Sequence, residues 1–189
     1  MKPLFVSAAL AAALATTALA DAESFVLDPT HSAIKFEWSH AGFSTTFGAF
    51  FEVNGSIEFD QNAPENSSVS VEFPLASMVT DPSLIGHLSG DRWFGGLDGK
   101  AVTFTSTGIE VTGDNTALIT GDLSLNGQTA EVVLDTVMNN LGPNFGGTTV
   151  AGFTATTSVL RSDFGVGAFA PAVGDELGVT ISIEASPAS

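Results

Sequence analysis

The chain has no cysteine and only five lysines and arginines. Without cysteine there are no disulfides, so a buried core must hold the fold. The absence does not exclude an exported protein, because such proteins can use disulfides but need not. The five basic residues stand against 21 acidic ones, for a net charge of −16. That surface repels phosphate backbones and excludes nucleic acid as a partner. It also argues against steady adsorption on anionic membranes and is read as a solubility device. Catalytic signatures are missing as well. His31, His40 and His87 lie far apart, with no His-Glu-x-x-His and no short ligand spacing. There is no Gly-x-Ser-x-Gly nucleophile elbow. Aspartates and glutamates are scattered over polar faces, where solvated carboxylates sit. No metal, cofactor or catalytic residue is therefore expected.

The one long apolar run is at the start, MKPLFVSAALAAALATTALA. Lys2, the run Leu4–Leu14 and the small-x-small site Ala18-Leu19-Ala20 make a secretory leader. The run is too short for a spanning anchor. No cysteine follows the site, so no lipid anchor is expected. Cleavage after Ala20 leaves residues 21–189, which is 189 − 20 = 169 residues, with a net charge of −17 once Lys2 is gone. That length suits one domain with a sizeable core. The expected location is the periplasm.

Phe43–Asp60 organises the rest. Its odd positions are nearly all apolar (Phe43, Phe47, Ala49, Phe51, Val53, Ile57, Phe59) and its even ones mostly polar. Period-two alternation means a strand, or two strands joined at a bend. Eighteen residues is far above the usual strand length of about five or six, so it must curve, with Gly48 and Gly55 as candidate bend points. The same alternation recurs at Ile34, Phe36 and Trp38; at Val69, Val71 and Phe73; at Val102, Phe104 and Ser106; and at Ala117–Leu125. Asn126-Gly127 is a hairpin turn, followed by Val132, Leu134 and Met138. A glycine-rich loop spans Leu141–Gly147. Phe153, Ala155 and Val159, then Leu177–Ile183, complete about eight strands. One short helix is expected after the cap Asp81 and Pro82, placed as a lid or plug. All-β alternation leaves sandwich and barrel both open.

Several segments together resemble the YceI-like family of periplasmic polyisoprenoid-binding proteins, over about Phe25–Ala185. They are Asp28-Pro29-Thr30-His31-Ser32, Ser39-His40-Ala41-Gly42, Gly48-Ala49-Phe50, and Gly55 through Asp60. His87-Leu88 with Asp91 and Phe94, Thr103 through Thr107, Gly121 through Gly127, Gly152-Phe153 and Arg161 through Gly165 complete the set. Two features depart from the family pattern. Gly99-Lys100-Ala101-Val102 stands where a Tyr-Pro pair is usual, and the aromatic pair after the helix is Trp93-Phe94 followed by two glycines. The resemblance implies an eight-stranded antiparallel lipocalin-like barrel with a short helical segment at one end. An elongated apolar tunnel would hold one isoprenoid or fatty-acid-like chain.

The implied lining is Phe36, Trp38, Phe47, Phe51, Ile57, Val71, Phe73, Leu88, Phe94, Phe104, Ile119, Leu123, Phe153, Ala155 and Phe164. Ala49, Gly55, Ala117, Gly121 and Ala151, all small, are expected to face inward and leave room. His87, Arg92 and Arg161 are the candidate head-group contacts. The simpler reading of the arginines pairs each with a neighbouring carboxylate, Arg161 with Asp163. A homodimer is allowed for; stable membrane insertion is not expected. Two alternatives stand beside the carrier: an enzyme acting on a lipid in the same cavity, and a solid-core β-domain working through its surface.

Overall fold

The structure, a computed structural model, describes residues 22–188, and the expected leader over residues 1–20 lies outside them. Three walls of the fold are strands bent in the middle. The first is β1 (Glu23–Leu27) with β2 (Ala33–His40), the second β3 (Ser44–Phe50) with β4 (Asn54–Phe59), and the third β5 (Ser68–Pro74) with β6 (Met78–Val79). The other five are β7 (Ala101–Gly113), β8 (Thr116–Leu125), β9 (Gln128–Pro143), β10 (Thr149–Leu160) and β11 (Glu176–Pro187). Each wall pairs antiparallel with its neighbour in sequence. β11 closes the ring on both halves of the first wall, with Ile181 opposite Ile34 and Ala185 opposite Leu27. The result is the expected all-β, eight-walled antiparallel barrel, here with up-and-down connections. Helix α1 (Pro82–Leu88) stands between β6 and β7 at one end.

The bends have local causes. At the first, the Asp28 carboxylate accepts from Thr30 N at 2.8 Å and Thr30 Oγ1 at 2.7 Å, and lies 2.7 Å from His31 Nδ1. Buried Ser32 donates to the Glu184 carbonyl at 3.4 Å. The second bend, at residues 51–53, changes the phase of the long segment. β3 turns its even positions inward (Thr46, Gly48, Phe50), whereas β4 turns in its odd ones (Ile57, Phe59). Side chains alternate with period two, so one residue of slip at the bend moves the whole of β3 to the opposite face. Phe47 and Phe51, expected inside, are therefore outside, at 63% and 53% exposure. Ala49 follows them outward, in register with Lys35.

Inward glycines serve the aromatic rings instead of leaving room. A Cβ on Gly48 would lie 2.5 Å from Phe36 Cζ, and one on Gly121 would lie 2.4 Å from Phe104 Cζ. At Gly55 it would lie 2.2 Å from the Ser70 carbonyl oxygen, so the close approach of two backbones needs glycine there. β7 carries register shifts between Ser106 and Gly108 and between Val111 and Gly113. The first breaks the expected phase, and Ile109 and Val111 take up the inner face. Ser106 Oγ instead accepts from Val69 N at 2.9 Å. β9 runs through the expected glycine-rich loop as far as Pro143.

Asp81 caps α1, accepting from Ser83 N at 2.9 Å, with Pro82 in the first turn. The β2–β3 turn, α1, the β8–β9 turn and residues 161–175 gather at one end, the lid end. The β4–β5, β7–β8 and β9–β10 connections form the other. Phe25, Ala151 and Ala185 are essentially without exposure along the seam that closes the ring, and Val53, Leu75 and Phe164 are as buried elsewhere.

Candidate functional site: an apolar tunnel

The barrel is not filled by its own side chains. A cavity of about 840 Å³ runs along it, from Leu84 and His87 at the lid end to Asp114 and Asn115 at the other. A volume of this size lies in the range of ligand-binding clefts. An eight-stranded ring is just wide enough either to be plugged by large side chains or to hold one small ligand, and here it is hollow. The cavity is not the filled core that the solid-core alternative supposes.

The walls are almost wholly hydrocarbon. On one side an aromatic row runs Trp38–Phe36–Phe50–Phe73, with ring centroids 5.9, 5.3 and 4.7 Å apart in turn. Ile119 and Leu123 from β8, Val132 and Leu134 from β9, and Val179 and Ile181 from β11 line the remainder. Among the described residues, the polar side chains lining the middle of the barrel are Thr136 and Thr157, and the other polar groups lie at the two ends. His40, Thr46, Asp81, Ser83, His87 and Arg161 are at the lid end; Ser67, Asp114, Asn115 and Thr116 are at the other.

Of the residues expected on the lining, Phe36, Trp38, Ile57, Val71, Phe73, Leu88, Phe94, Phe104, Ile119, Leu123, Phe153, Ala155 and Phe164 face the cavity. Phe47 and Phe51 do not, for the reason of phase given above. Phe50 takes their place, and the Gly48-Ala49-Phe50 sequence carried no sign of which phase would win. Ala117 lines the cavity, whereas Ala151 is packed in the seam.

The three head-group candidates separate. His87 faces the cavity at the lid. Arg92 stays outside it, its guanidinium 5.8 Å from the centroid of the Phe169 ring. Arg161 borders the cavity but is only 6% exposed, and its donors are taken by backbone. Nε donates to Gly174 O at 2.8 Å, one Nη to Val166 O at 2.7 Å and Ala168 O at 3.3 Å, and the other to Val173 O at 2.9 Å. The expected pair with Asp163 does not form. Burial lowers the Arg161 pKa from its ordinary value, and the charge of Asp175 opposes that shift. Arg161 thus organises the segment 161–175, with the Trp93 ring 5.3 Å from its guanidinium carbon.

That segment and the lid are tied through one turn. Lys100 Nζ donates to the Phe94 carbonyl and, at 3.3 Å, to Asn126 Oδ1. Asn126 Nδ2 in turn donates to Phe164 O at 3.1 Å. Among the described residues no cluster of three potential metal ligands occurs. No described helix is long and apolar enough to cross a membrane.

The barrel recurs in known proteins. A "UPF0312 protein" of Pseudomonas savastanoi pv. phaseolicola is 32% identical over 169 residues, covering 88% of each chain. The crystal structure of BcnA from Burkholderia cenocepacia superposes with a TM-score of 0.75 at 22% identity, over 85% of this chain and 99% of that one. A domain from Saccharophagus degradans, described as polyisoprenoid-binding and implicated in plant cell wall breakdown, superposes with a TM-score of 0.63 at 14% identity, over 88% and 99%. These two show a shared fold. The family profile of the YceI-like domain matches residues 25–185. On that match and the 32% relative, this chain belongs to the YceI-like family.

Proposed function

We propose that the protein is a binding protein, not an enzyme, that carries one long apolar lipid chain in its tunnel. An isoprenoid quinone, a polyprenyl derivative or a long fatty chain would fit. The observation that carries this reading is the continuous hydrocarbon-lined cavity of about 840 Å³, polar almost only at its ends. Each buried methylene contributes about 0.8 kcal/mol, so a chain threaded along such walls binds through area and shape. Selection among apolar chains would be permissive, because few polar groups fix orientation. The polyisoprenoid-binding description of a protein with this fold supports the same class of ligand. An enzyme would need a polar cluster within reach of the substrate. Among the described residues, the middle of the tunnel offers two threonines.

The proposed location is the periplasm, with export directed by residues 1–20. N-terminal sequencing of the exported protein is expected to begin at Asp21, and a chain retaining the apolar segment would contradict this.

Trp38 and Trp93, the two tryptophans of the chain, both line the cavity. Titrating delipidated protein with a polyprenyl quinone is therefore expected to quench intrinsic fluorescence saturably, at one equivalent. Absence of saturable quenching, together with no heat of binding for any long-chain lipid, would refute the proposal.

A further inference from the structure

We infer that the tunnel has a second mouth, at the end of the barrel opposite the lid, through which the tail of a chain longer than the barrel passes into solvent. The inference rests on the lipid-binding reading above and adds to it that ligand length is not capped.

The far end of the ring is filled on one side only. Under β1, β10 and β11, the inward side chains Phe25, Ala151 and Ala185 leave no space, at 0–1% exposure. Phe59 and Phe153 meet edge to face at 6.0 Å and bound this plug. Across from it, under β4, β5, β7 and β8, the cavity continues outward. Its walls there include Gly113, Asp114 and Asn115 of the β7–β8 turn, which are solvent-exposed, and Pro64 of the β4–β5 connection. A cavity walled by exposed turn residues reaches solvent at those residues. Val111, just inside, is 45% exposed although it lines the same space.

The backbone gives a cause. β7 has two register shifts, between Ser106 and Gly108 and between Val111 and Gly113. Each extra residue bends its strand and raises the local twist. Both fall beyond Thr105, where the pairing of β7 with β5 ends opposite Ser70. The outer part of the β7–β8 hairpin is thus bent out of line with β5 and, among the described residues, has no strand beside it on that side.

The two ends also differ in their polar lining, which orients a bound chain. Of the four Lys and Arg residues in positions 22–188, Arg92, Lys100 and Arg161 lie at the lid end. Among the described residues, the far rim of the cavity holds Ser67, Asp114, Asn115 and Thr116 and no cation. The lid-end cations are held by backbone or lie outside the cavity, and Asp81 lines the lid end as Asp114 lines the far one. A hydrogen-bonding head is drawn to the lid by His87, which faces the cavity there. The tail therefore points to the far mouth.

A tunnel with one mouth and a tunnel with two respond oppositely to chain length. While the tunnel is filling, each added methylene strengthens binding about fourfold, from ~0.8 kcal/mol of burial. Past the length of the barrel, a blind tunnel forces the chain to buckle or the head to leave, and affinity falls. An open tunnel lets the surplus emerge, and affinity levels off. The experiment is a calorimetric titration of delipidated protein with polyprenyl alcohols of about three to about eleven isoprene units. A rise followed by a plateau is expected. A maximum followed by a loss of tenfold or more in the longest members would overturn the second mouth while leaving lipid binding intact. No binding at any length would instead refute the lipid reading itself. Val111→Phe and Asn115→Phe, two independent plugs at this rim, are expected to turn the plateau into that loss and to spare the shortest chains. If both variants fold and keep the wild-type plateau, the tail does not leave here and the inference fails.

Discussion

Ala155 is the position where filling the tunnel should separate binding from stability. It lies halfway along β10, opposite Thr136 and Ile181, is 6% exposed, and faces the cavity. In a solid core, Ala155→Trp would force neighbours off their rotamers at a cost of about 1–3 kcal/mol. Here the indole enters space that is already open. Its burial offsets most of the strain, so the delipidated protein should unfold within about 1 kcal/mol of wild type. A ligand, by contrast, loses the middle of its path. Displacing about five methylenes at ~0.8 kcal/mol each costs ~4 kcal/mol, or close to a thousandfold in Kd. The assay is a pair: urea unfolding of delipidated protein, and calorimetric titration with a polyprenyl quinone. Unchanged affinity would show that Ala155 does not border the path of the ligand. A loss of several kcal/mol in stability would show that the space is not there.

Arg161→Ala leaves four backbone carbonyls of residues 166–174 without their donor, and should cost about 2–4 kcal/mol in chemical denaturation; a variant as stable as wild type but deficient in binding would make Arg161 a head-group contact instead. At the first bend, Asp28 raises the His31 pKa above its ordinary 6.5, and contacts from Thr30 and His31 hold Asp28 at about 2. The histidine contribution is full below pH 6.5 and fades as pH rises through its folded pKa; that of the aspartate is full above about pH 4 and fades as pH falls towards 2. The stability difference between wild type and His31→Gln should therefore be largest near pH 5 and shrink in alkaline buffer, and a pH-independent difference would contradict it. Amide exchange in His87–Phe94 should be fast without lipid and slow with it, while β8 around Leu123 stays protected in both states. Equal exchange with and without lipid would remove the lid from the access route.

The barrel was legible because its alternation is redundant. Ile34, Phe36 and Trp38 on β2, or Ile119 and Leu123 on β8, each announce a single face, and the Asn126-Gly127 turn fixes a hairpin. Asp81 and Pro82 likewise marked the start of α1. What failed was phase across a break. Phe43–Asp60 has phenylalanine in both registers around residue 50, and no local signal says where the slip falls. The outcome is set by pairing with β2, where Gly48 accommodates the Phe36 ring and Phe50 takes the inner position. Arg161 failed for another reason. Asp163, two residues away, looks like its partner in sequence, but the buried guanidinium is met by carbonyls contributed by the loop that follows. The far opening was not legible at all, because register shifts in β7 are features of pairing and leave no mark on composition.

Lipid in the tunnel is tested most directly by native mass spectrometry of the protein taken from its own cell envelope without detergent, followed by solvent extraction and mass analysis of what is released. A carrier of a long apolar chain predicts a one-to-one complex whose extra mass is recovered as a lipid in the organic phase, and whose loss accompanies Ala155→Trp. Protein that arrives entirely at the mass of the bare chain, and remains so after incubation with envelope lipids, would contradict it.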